Sequence, residues 1–306
     1  MKETIEYYYN IKIDKLYIEK DVYHFILNNE DYYFLFFKRT NEDLKDIINC
    51  IIELKQKGIQ CHNILININN EHLTKIEDVN YVLVKVTNKD EIISISDMIS
   101  YNKKLVLNGS KNNLYRNNWS YLWSSKIDYV EQQLKEIKTN KIIESSIDYY
   151  IGLCENAIYY VNNVNKKYEL SLIDKIVLSR KRIFYPNYAL NYFNPLTFIF
   201  DLEVRDIGEY IKSYFFSGED ALTELITYLK SVKLSIYSYN MLFARLLYPS
   251  YYFDIYESII NSNEDSQKLI DVISKCNEYE IFLKKAYDLI SSYAPLEDIS
   301  WIKNLH

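Results

Sequence analysis

The stretch FIFDLEVRDIGEYIKSYFF, residues 198–216, joins a short apolar run to a helical pattern. The apolar run ends at Asp201, and from Ile207 onward apolar residues recur every three or four positions, which predicts an amphipathic helix. Asp206 stands where that helix begins, a place that favours a carboxylate because free backbone N–H groups point there. The stretch therefore predicts a buried strand that delivers one carboxylate, a short loop, and a helix that starts with a second carboxylate.

This pattern has two interpretations. Kinase-like phosphotransferases carry a metal-binding acid at the end of a strand and a structural acid on the following helix. An ordinary strand end followed by an ordinary helix cap has the same pattern. The residues that precede the stretch distinguish the two interpretations.

The segment VLSRKRIFYPN, residues 177–187, lies where such an enzyme has its catalytic loop. That loop carries a base Asp and, five residues later, a metal-binding Asn. Counting back five from Asn187 reaches Arg182, so the segment resembles the H-G-D-x-x-x-x-N loop of aminoglycoside phosphotransferases and choline kinases with Arg180, Lys181 and Arg182 in place of H-G-D. A guanidinium stays protonated and has no acceptor, so Arg182 cannot take a proton from a substrate hydroxyl.

Composition limits the classes of protein that the chain can belong to. The 306 residues are 48% apolar, which is typical of a globular protein with a sizeable core. A net charge of −6 without a long basic run argues against nucleic acid as a partner. The four Cys form no C-x-x-C motif and the four His are scattered, which predicts buried reduced thiols and no metal site. No apolar run is long enough to span a membrane, and the first residues lack the apolar region of a signal peptide, which predicts synthesis in the cytoplasm.

The first 86 residues have the element order of a kinase small lobe. Three β-prone runs come first, followed by a helix that begins with the capping sequence at Thr40 and ends at Gly58, and then by two more apolar runs. The five runs span residues 7–13, 16–27, 32–39, 64–68 and 81–86.

The remainder of the chain completes a two-lobed prediction. Residues 87–104 resemble a hinge, and from residue 118 the patterns are mainly helical, with Trp119 and Trp123 on one helix face. We therefore predict an α+β, protein-kinase-like fold. It has a small antiparallel-sheet lobe with one helix at residues 1–86, a hinge at residues 87–104, and a larger helical lobe at residues 105–306.

Two features of the small lobe bear on nucleotide binding. Lys38 ends the third β-prone run, where a kinase keeps the Lys that pairs with nucleotide phosphates, although a solvated charge at a strand end is an equal alternative. Residues 1–57 contain no glycine, so a Gly-rich loop that lays bare N–H groups against phosphates is missing. We interpret five residues as a degenerate nucleotide and metal site without a catalytic base: Lys38, Arg180, Arg182, Asn187 and Asp201.

Three stretches together carry a family resemblance. They are the altered loop before Asn187, FIFDLEVRDIGEYIK at residues 198–212, and FARLLYPSYYFDIYE at residues 243–257. They resemble the spore-coat-associated, kinase-like proteins of endospore-forming bacteria, a degenerate branch of the aminoglycoside phosphotransferase and choline kinase group. The resemblance implies a non-catalytic protein that is made in the mother cell, deposited on the spore coat, and bound to other coat or sporulation proteins. It implies no required cofactor, with residual binding of magnesium and ATP left open.

Ion pairs are the last expectation. If the loop alignment is right, Arg182 lies close to Asp201 and fills the metal site with a fixed positive charge. Arg205 and Asp206 are expected to be structural, and Arg205 and three further residues are expected to form internal salt bridges: Arg245, Asp254 and Glu257.

Two alternative functions remain open from the sequence. One is a small-molecule phosphotransferase with a relocated base, for which Asp174 is the nearest spare acid. The other is a module in which the basic loop at residues 179–182 binds a phosphorylated ligand.

Overall fold

The computed structural model describes residues 1–19, 22–104, 106, 113–116, 118–137, 140–262 and 265–305. Its first part is a sheet with two helices. The elements are α1 (Lys2–Tyr9), β1 (Tyr17–Glu19), β2 (Val22–Leu27), β3 (Glu30–Phe36), α2 (Asn41–Gln56), β4 (Asn63–Ile64), β5 (Thr74–Ile76) and β6 (Val79–Lys85).

The six strands form one antiparallel sheet in the order β1-β2-β3-β6-β4, with β5 pairing to β6. Side chains of a strand alternate between the two faces of its sheet. In β6, Val82 and Val84 therefore join the core on the α2 side, while Leu83 joins a second cluster that contains Ile5 of α1. The predicted antiparallel-sheet lobe with a core-facing helix is confirmed.

The predicted strand at residues 7–13 is wrong, because residues 2–9 form helix α1. Ile5 and Tyr9 lie four positions apart, and this helical spacing packs both side chains onto the sheet. Asn10 ends the helix in the left-handed region, at φ 49°. Packing against the sheet thus overrides the β-propensity of the tyrosines.

The run at residues 16–27 forms two strands. Glu19 of β1 pairs with Val22 of β2, so only positions 20 and 21, which lie outside the described residues, separate these strands in the chain. The turn from β2 to β3 uses Asn28 and Asn29 at φ 53° and 61°, a conformation that Asn tolerates.

Helix α2 begins as predicted. The Thr40 side chain accepts from the backbone N–H of Asp43, and the chain leaves the helix at Gly58 with φ 70°. The predicted hinge region contains a helix, α3 (Ile95–Lys104), in its second half. Residue 105, where the helical lobe is predicted to begin, lies outside the described residues.

The larger part of the chain is mainly helical, with one strand hairpin. Trp119, Trp123, Ile127 and Val130 are buried on one face of its first long helix, as their spacing predicts. The elements are α4 (Trp119–Glu136), α5 (Lys141–Lys167), β7 (Ile176–Arg180), α6 (Ala189–Tyr192), a 3-10 turn (Pro195–Thr197), β8 (Phe198–Leu202), α7 (Val204–Phe216), α8 (Ala221–Ser231), α9 (Ile236–Leu247), α10 (Ser250–Ser262), α11 (Gln267–Ser274), α12 (Cys276–Ser291) and α13 (Ser300–Lys303).

The hairpin and α7 lie at the centre of the helical lobe. Strands β7 and β8 pair antiparallel, and all five residues of β8 are buried. Helix α7 is buried from Val204 to Lys212 and packs against α8 and α9. The predicted strand, loop and helix at residues 198–216 are confirmed. No helix within the described ranges combines the length and apolar character needed to cross a membrane.

Candidate functional site

Asp201 is buried at the end of β8 and its carboxylate is fully engaged. The indole N–H of Trp119 donates to both carboxylate oxygens at 3.0 Å, and the backbone N–H of Leu202 donates to Oδ1 at 2.8 Å. Arg205 Nε lies 2.8 Å from Oδ2. Burial raises the pKa of Asp201 to about 6, and Arg205 and Arg245 limit this rise by favouring the anion.

These contacts do not fit a metal ion. A divalent cation at Asp201 would have to displace the Trp119 indole and would meet the positive charge of Arg205, whose guanidinium also bonds the carbonyls of Arg180 and Lys181. Among the described residues, no group of three or more His, Cys, Asp or Glu side chains is placed to hold a metal. Asp201 is thus built into an internal hydrogen-bond network.

Asp206 holds the altered loop in place, but not as a helix cap. Its carboxylate oxygens accept from the backbone N–H of Arg180 at 3.0 and 3.1 Å. The helix-capping role that its position suggested is therefore replaced by a bond to the neighbouring strand. Together with Arg205, which binds the carbonyl of Arg180, it fixes the residue that starts the loop. Both side chains thus bond the backbone at the start of the loop.

Arg180, which we predicted to lie in a degenerate nucleotide and metal site, has its side chain in the protein core instead. Its side chain is fully buried, with Nε donating to the carbonyl of Tyr192 and Nη1 donating to that of Leu178. The guanidinium lies 3.5 Å from the centre of the Tyr192 ring. The side chain points into the core because it stacks on this ring.

The side chains of Asn187 and Lys38 contact residues other than Asp201. The Asn187 side chain is buried and donates to the carbonyl of Ile93 at 3.2 Å, so it ties the loop to the segment before α3. Lys38 is exposed, with its ammonium 5.4 Å from the Phe36 ring. The next residue, Arg39, points inward instead and donates to the carbonyl of Phe198 at 2.7 Å.

The predicted Arg182–Asp201 pair is replaced by other pairs. Arg182 forms a two-pronged ion pair with Asp254 of α10, in which Nη2 donates to Oδ1 at 2.7 Å and Nε contacts Oδ2. Asp201 pairs with Arg205 instead. The reason is position, because α10 brings Asp254 to the loop from 72 residues away. The expectation that Arg205 and Asp254 form salt bridges is confirmed.

A buried ion network joins α7, α9 and α10, and sequence analysis missed its centre. Glu209 accepts from Lys212 Nζ at 2.8 Å, from Arg245 Nε at 2.7 Å and from Ser250 Oγ at 3.0 Å. Helical spacing of Glu209 and Lys212 was a usable signal, but the pattern does not show that both side chains face inward. Arg245 forms a salt bridge, as predicted, and so does Glu257, with Lys126.

A cleft of about 430 Å³ opens beside Asp201. The described residues that line this cleft all come from position 116 onward. They belong to α4, the β7–β8 hairpin, α7, α9 and α10, and to the loops that adjoin these elements. Trp119 and Trp123 form one wall, with Tyr248 stacked on Trp123 at 4.3 Å. Its charged lining residues are Arg116, Lys126, Lys181, Arg182, Arg205, Arg245, Asp201 and Asp254.

The fold is that of the kinase-like phosphotransferases. An aminoglycoside phosphotransferase from Alicyclobacillus acidocaldarius subsp. acidocaldarius superposes with a TM-score of 0.64 at 9% identity, covering 93% of this chain and 94% of that one. A spectinomycin phosphotransferase solved with ADP and spectinomycin gives 0.62 at 10% identity, covering 94% and 96%. At these identities the likeness shows the fold alone.

The chain belongs to the family described as "Spore coat putative kinase YutH", whose model matches residues 2–286. The endospore coat-associated protein YutH of Bacillus subtilis (strain 168) is 27% identical over 209 residues. The match covers 60% of this chain and spans about three fifths, 61%, of that relative. The predicted two-lobed kinase-like fold and spore-coat family are therefore confirmed.

Proposed function

We propose that this chain is a non-catalytic kinase-fold protein, a pseudokinase, that acts as a scaffold among other coat or sporulation proteins. One observation carries the proposal: the Asp201 carboxylate, which would hold metal in an active relative, is engaged by Trp119, Leu202 and Arg205. A protein arranged in this way has to dismantle a buried network before it can bind magnesium.

The residue at the position of the catalytic base supports the same proposal. Arg182 has no acceptor atom and is held by Asp254. Asp174, the spare acid nearest in sequence, accepts from Ser235 through Oδ1 and from Ser171 through Oδ2. Because both oxygens serve local hydrogen bonds, Asp174 is better explained as a structural residue than as a relocated base.

The proposed site of action is the spore coat, after synthesis in the mother-cell cytoplasm. The family description and the coat association in the name of the Bacillus subtilis relative support this proposal. We propose no cofactor and no nucleic-acid partner.

Purified protein tests the absence of catalysis. The chain is incubated with Mg·ATP and with aminoglycoside, spectinomycin or choline as acceptor, and ADP is measured. We expect no ADP above the rate without protein. Acceptor-dependent ADP formation that scales with protein concentration would contradict the proposal.

A fluorescent fusion tests the scaffold role in a sporulating host. We expect the wild type and Asp201→Asn to reach the spore surface equally, because localisation does not depend on metal chemistry. The Tm of the purified variant is measured alongside, and Gly208→Val serves as a destabilised control. Loss of localisation by a variant with an unchanged Tm would indicate that residual catalysis is needed.

A further inference from the structure

The charges that line the cleft are not balanced. Six of its described lining residues are cationic. Carboxylates match four of these: Asp201 pairs with Arg205, Asp254 with Arg182, Glu209 with Arg245 and Glu257 with Lys126.

The two cations left without a carboxylate within 4 Å, among the described residues, are Arg116 and Lys181. Within the described part of the chain, Arg116 Nη1 donates to the carbonyls of Asn113 and Tyr115, which carry no formal charge. Lys181 is exposed at the edge of the cleft. Both are therefore available to an anion in the cleft.

The backbone of the hairpin brings these cations together. The N–H of Lys181 donates to the carbonyl of Thr197, and the N–H of Arg116 donates to that of Phe200. Arg39, outside the cleft lining, donates to the carbonyl of Phe198 between them. The pKa of Lys181 is lowered to about 8, first by partial burial and then by the positive charges of Arg39 and Arg116. The carboxylate of Asp43 opposes this shift but does not cancel it.

We propose that the cleft binds a small molecule carrying a phosphate group, with Arg116 and Lys181 as its direct ligands and without a metal ion. A phosphate monoester carries nearly two negative charges at pH 7, which matches the two unbalanced cations, whereas one carboxylate carries a single charge. Arg and Lys are the usual protein partners of phosphate. The cleft volume of about 430 Å³ suits a small ligand.

The tryptophan wall limits the remainder of the ligand. Trp119, Trp123 and Tyr248 form a stacked apolar surface on one side of the cleft. The guanidinium of Arg245, which also lines the cleft, lies within 6 Å of the centres of all three rings while it is bound to Glu209. The ligand therefore has a phosphate end and a less polar body. This inference goes beyond the scaffold role, since a non-catalytic protein need not bind any small molecule.

Calorimetry with sulfate and pyrophosphate in metal-free, low-salt buffer tests the site. We expect saturable binding to wild type, a loss of affinity of at least fivefold in Lys181→Gln and in Arg116→Gln, and no change in Lys284→Gln. Lys284→Gln is the matched control because the substitution also removes one positive charge, but from α12, outside the cleft. Because the Lys181 pKa is about 8, sulfate binding at pH 8 is expected to take up protons in wild type and less in Lys181→Gln.

Three results would overturn the proposal. They are no saturable binding to wild type, equal weakening in all three variants, and tighter binding of citrate than of pyrophosphate. Catalytic turnover of ATP would overturn the pseudokinase proposal and leave this site standing, so the two failures can be told apart.

Discussion

The network around Glu209 and the cleft beside Asp201 share Arg245 but differ in how their charges are paired. In the network, Glu209 receives Lys212, Arg245 and Ser250, and all four side chains are buried. In the cleft, Lys181 is exposed and has no carboxylate partner among the described residues. The paired buried charges fix how α7, α9 and α10 pack. Cations in a cleft that lack a carboxylate partner can instead form ion pairs with a bound ligand.

The same contrast applies to the residues around the altered loop. Asp206 and Arg205 still hold the backbone of Arg180 at the start of the loop. The positions that would perform chemistry, Arg182 and Asp201, are tied to Asp254 and Trp119. We propose that the phosphotransferase fold is preserved here around a centre whose role is structural.

Breaking the buried network is expected to have the largest effect. Glu209→Ala leaves Lys212 and Arg245 buried without their carboxylate, which costs on the order of 3–5 kcal/mol of unfolding free energy. Urea unfolding measures it.

The control is Glu257→Ala. Its carboxylate pairs with Lys126 but is 38% exposed, so the loss is expected below about 1 kcal/mol. Equal losses in the two variants would show that the buried network has no special role.

The next largest effect is expected in the pH dependence of the unfolding free energy, through the buried neutral ring of His62. His62 is buried between Leu190, whose carbonyl lies 3.0 Å from Nε2, and Thr87, whose backbone N–H donates to Nδ1. Burial lowers its pKa from 6.5 to about 4. Because the folded pKa lies below the unfolded one, the neutral His62 contributes fully to the unfolding free energy above pH 6.5. This contribution, about 3 kcal/mol, is lost as the pH falls from 6.5 through 4.

Urea unfolding between pH 7 and pH 4 measures this loss in wild type and in His62→Gln. The variant lacks the titrating ring, so its unfolding free energy is expected to fall less steeply. Parallel curves for the two proteins would assign the acid sensitivity to other groups.

The packing of the network can be tested at a glycine. A Cβ atom at Gly208 would lie 2.8 Å from Arg245 Cγ and 2.9 Å from its Cβ, so α7 and α9 would have to move apart. Gly208→Ala is expected to lower the unfolding free energy by about 1–3 kcal/mol despite the better helix propensity of Ala. Gly152→Ala in α5 is the matched control, because no atom lies within 4 Å of the added methyl. It is expected to be neutral or stabilising, and a loss as large as that of Gly208→Ala would contradict the packing explanation.

The smallest effect is expected at the unmatched cation. Because other positive charges surround Lys181, Lys181→Met is expected to raise the unfolding free energy at pH 7, by less than about 1 kcal/mol. The folded pKa of about 8 lies below the ordinary 10.5, so wild type gains stability as pH rises from 8 towards 10.5, and the advantage of the variant shrinks. Thermal unfolding at pH 7 and pH 9.5 checks this, and an advantage that grows with pH would contradict it.

Sequence patterns predicted the elements whose local and long-range preferences agree. The strand at residues 198–202 follows from its apolar run, and helix α7 follows from the apolar spacing that begins at Ile207, although the helix starts two residues before the predicted Asp206. The Thr40 cap follows from its own side chain. The patterns failed where a distant partner decides. Helix α1 depends on the sheet beneath it.

The same limit applies to the site. The side chain of Arg180 lies in the core because it stacks on the Tyr192 ring. The side chain of Arg182 is directed by its ion pair with Asp254, which is 72 positions away in the chain. The sequence indicated some members of the ion pairs, such as Arg205 and Arg245, but missed Glu209, and only the fold decides which partners meet.

The magnesium dependence of ATP binding tests most directly the claim that Asp201 is closed to metal. Calorimetry with ATP is performed with and without Mg²⁺ on the wild-type chain. We predict that Mg²⁺ leaves any ATP affinity unchanged or lowers it, because the proposed phosphate ligands, Arg116 and Lys181, act without a metal ion. An affinity at least tenfold higher with Mg²⁺, which is about 1.4 kcal/mol, would contradict the account and show that the metal site is still in use.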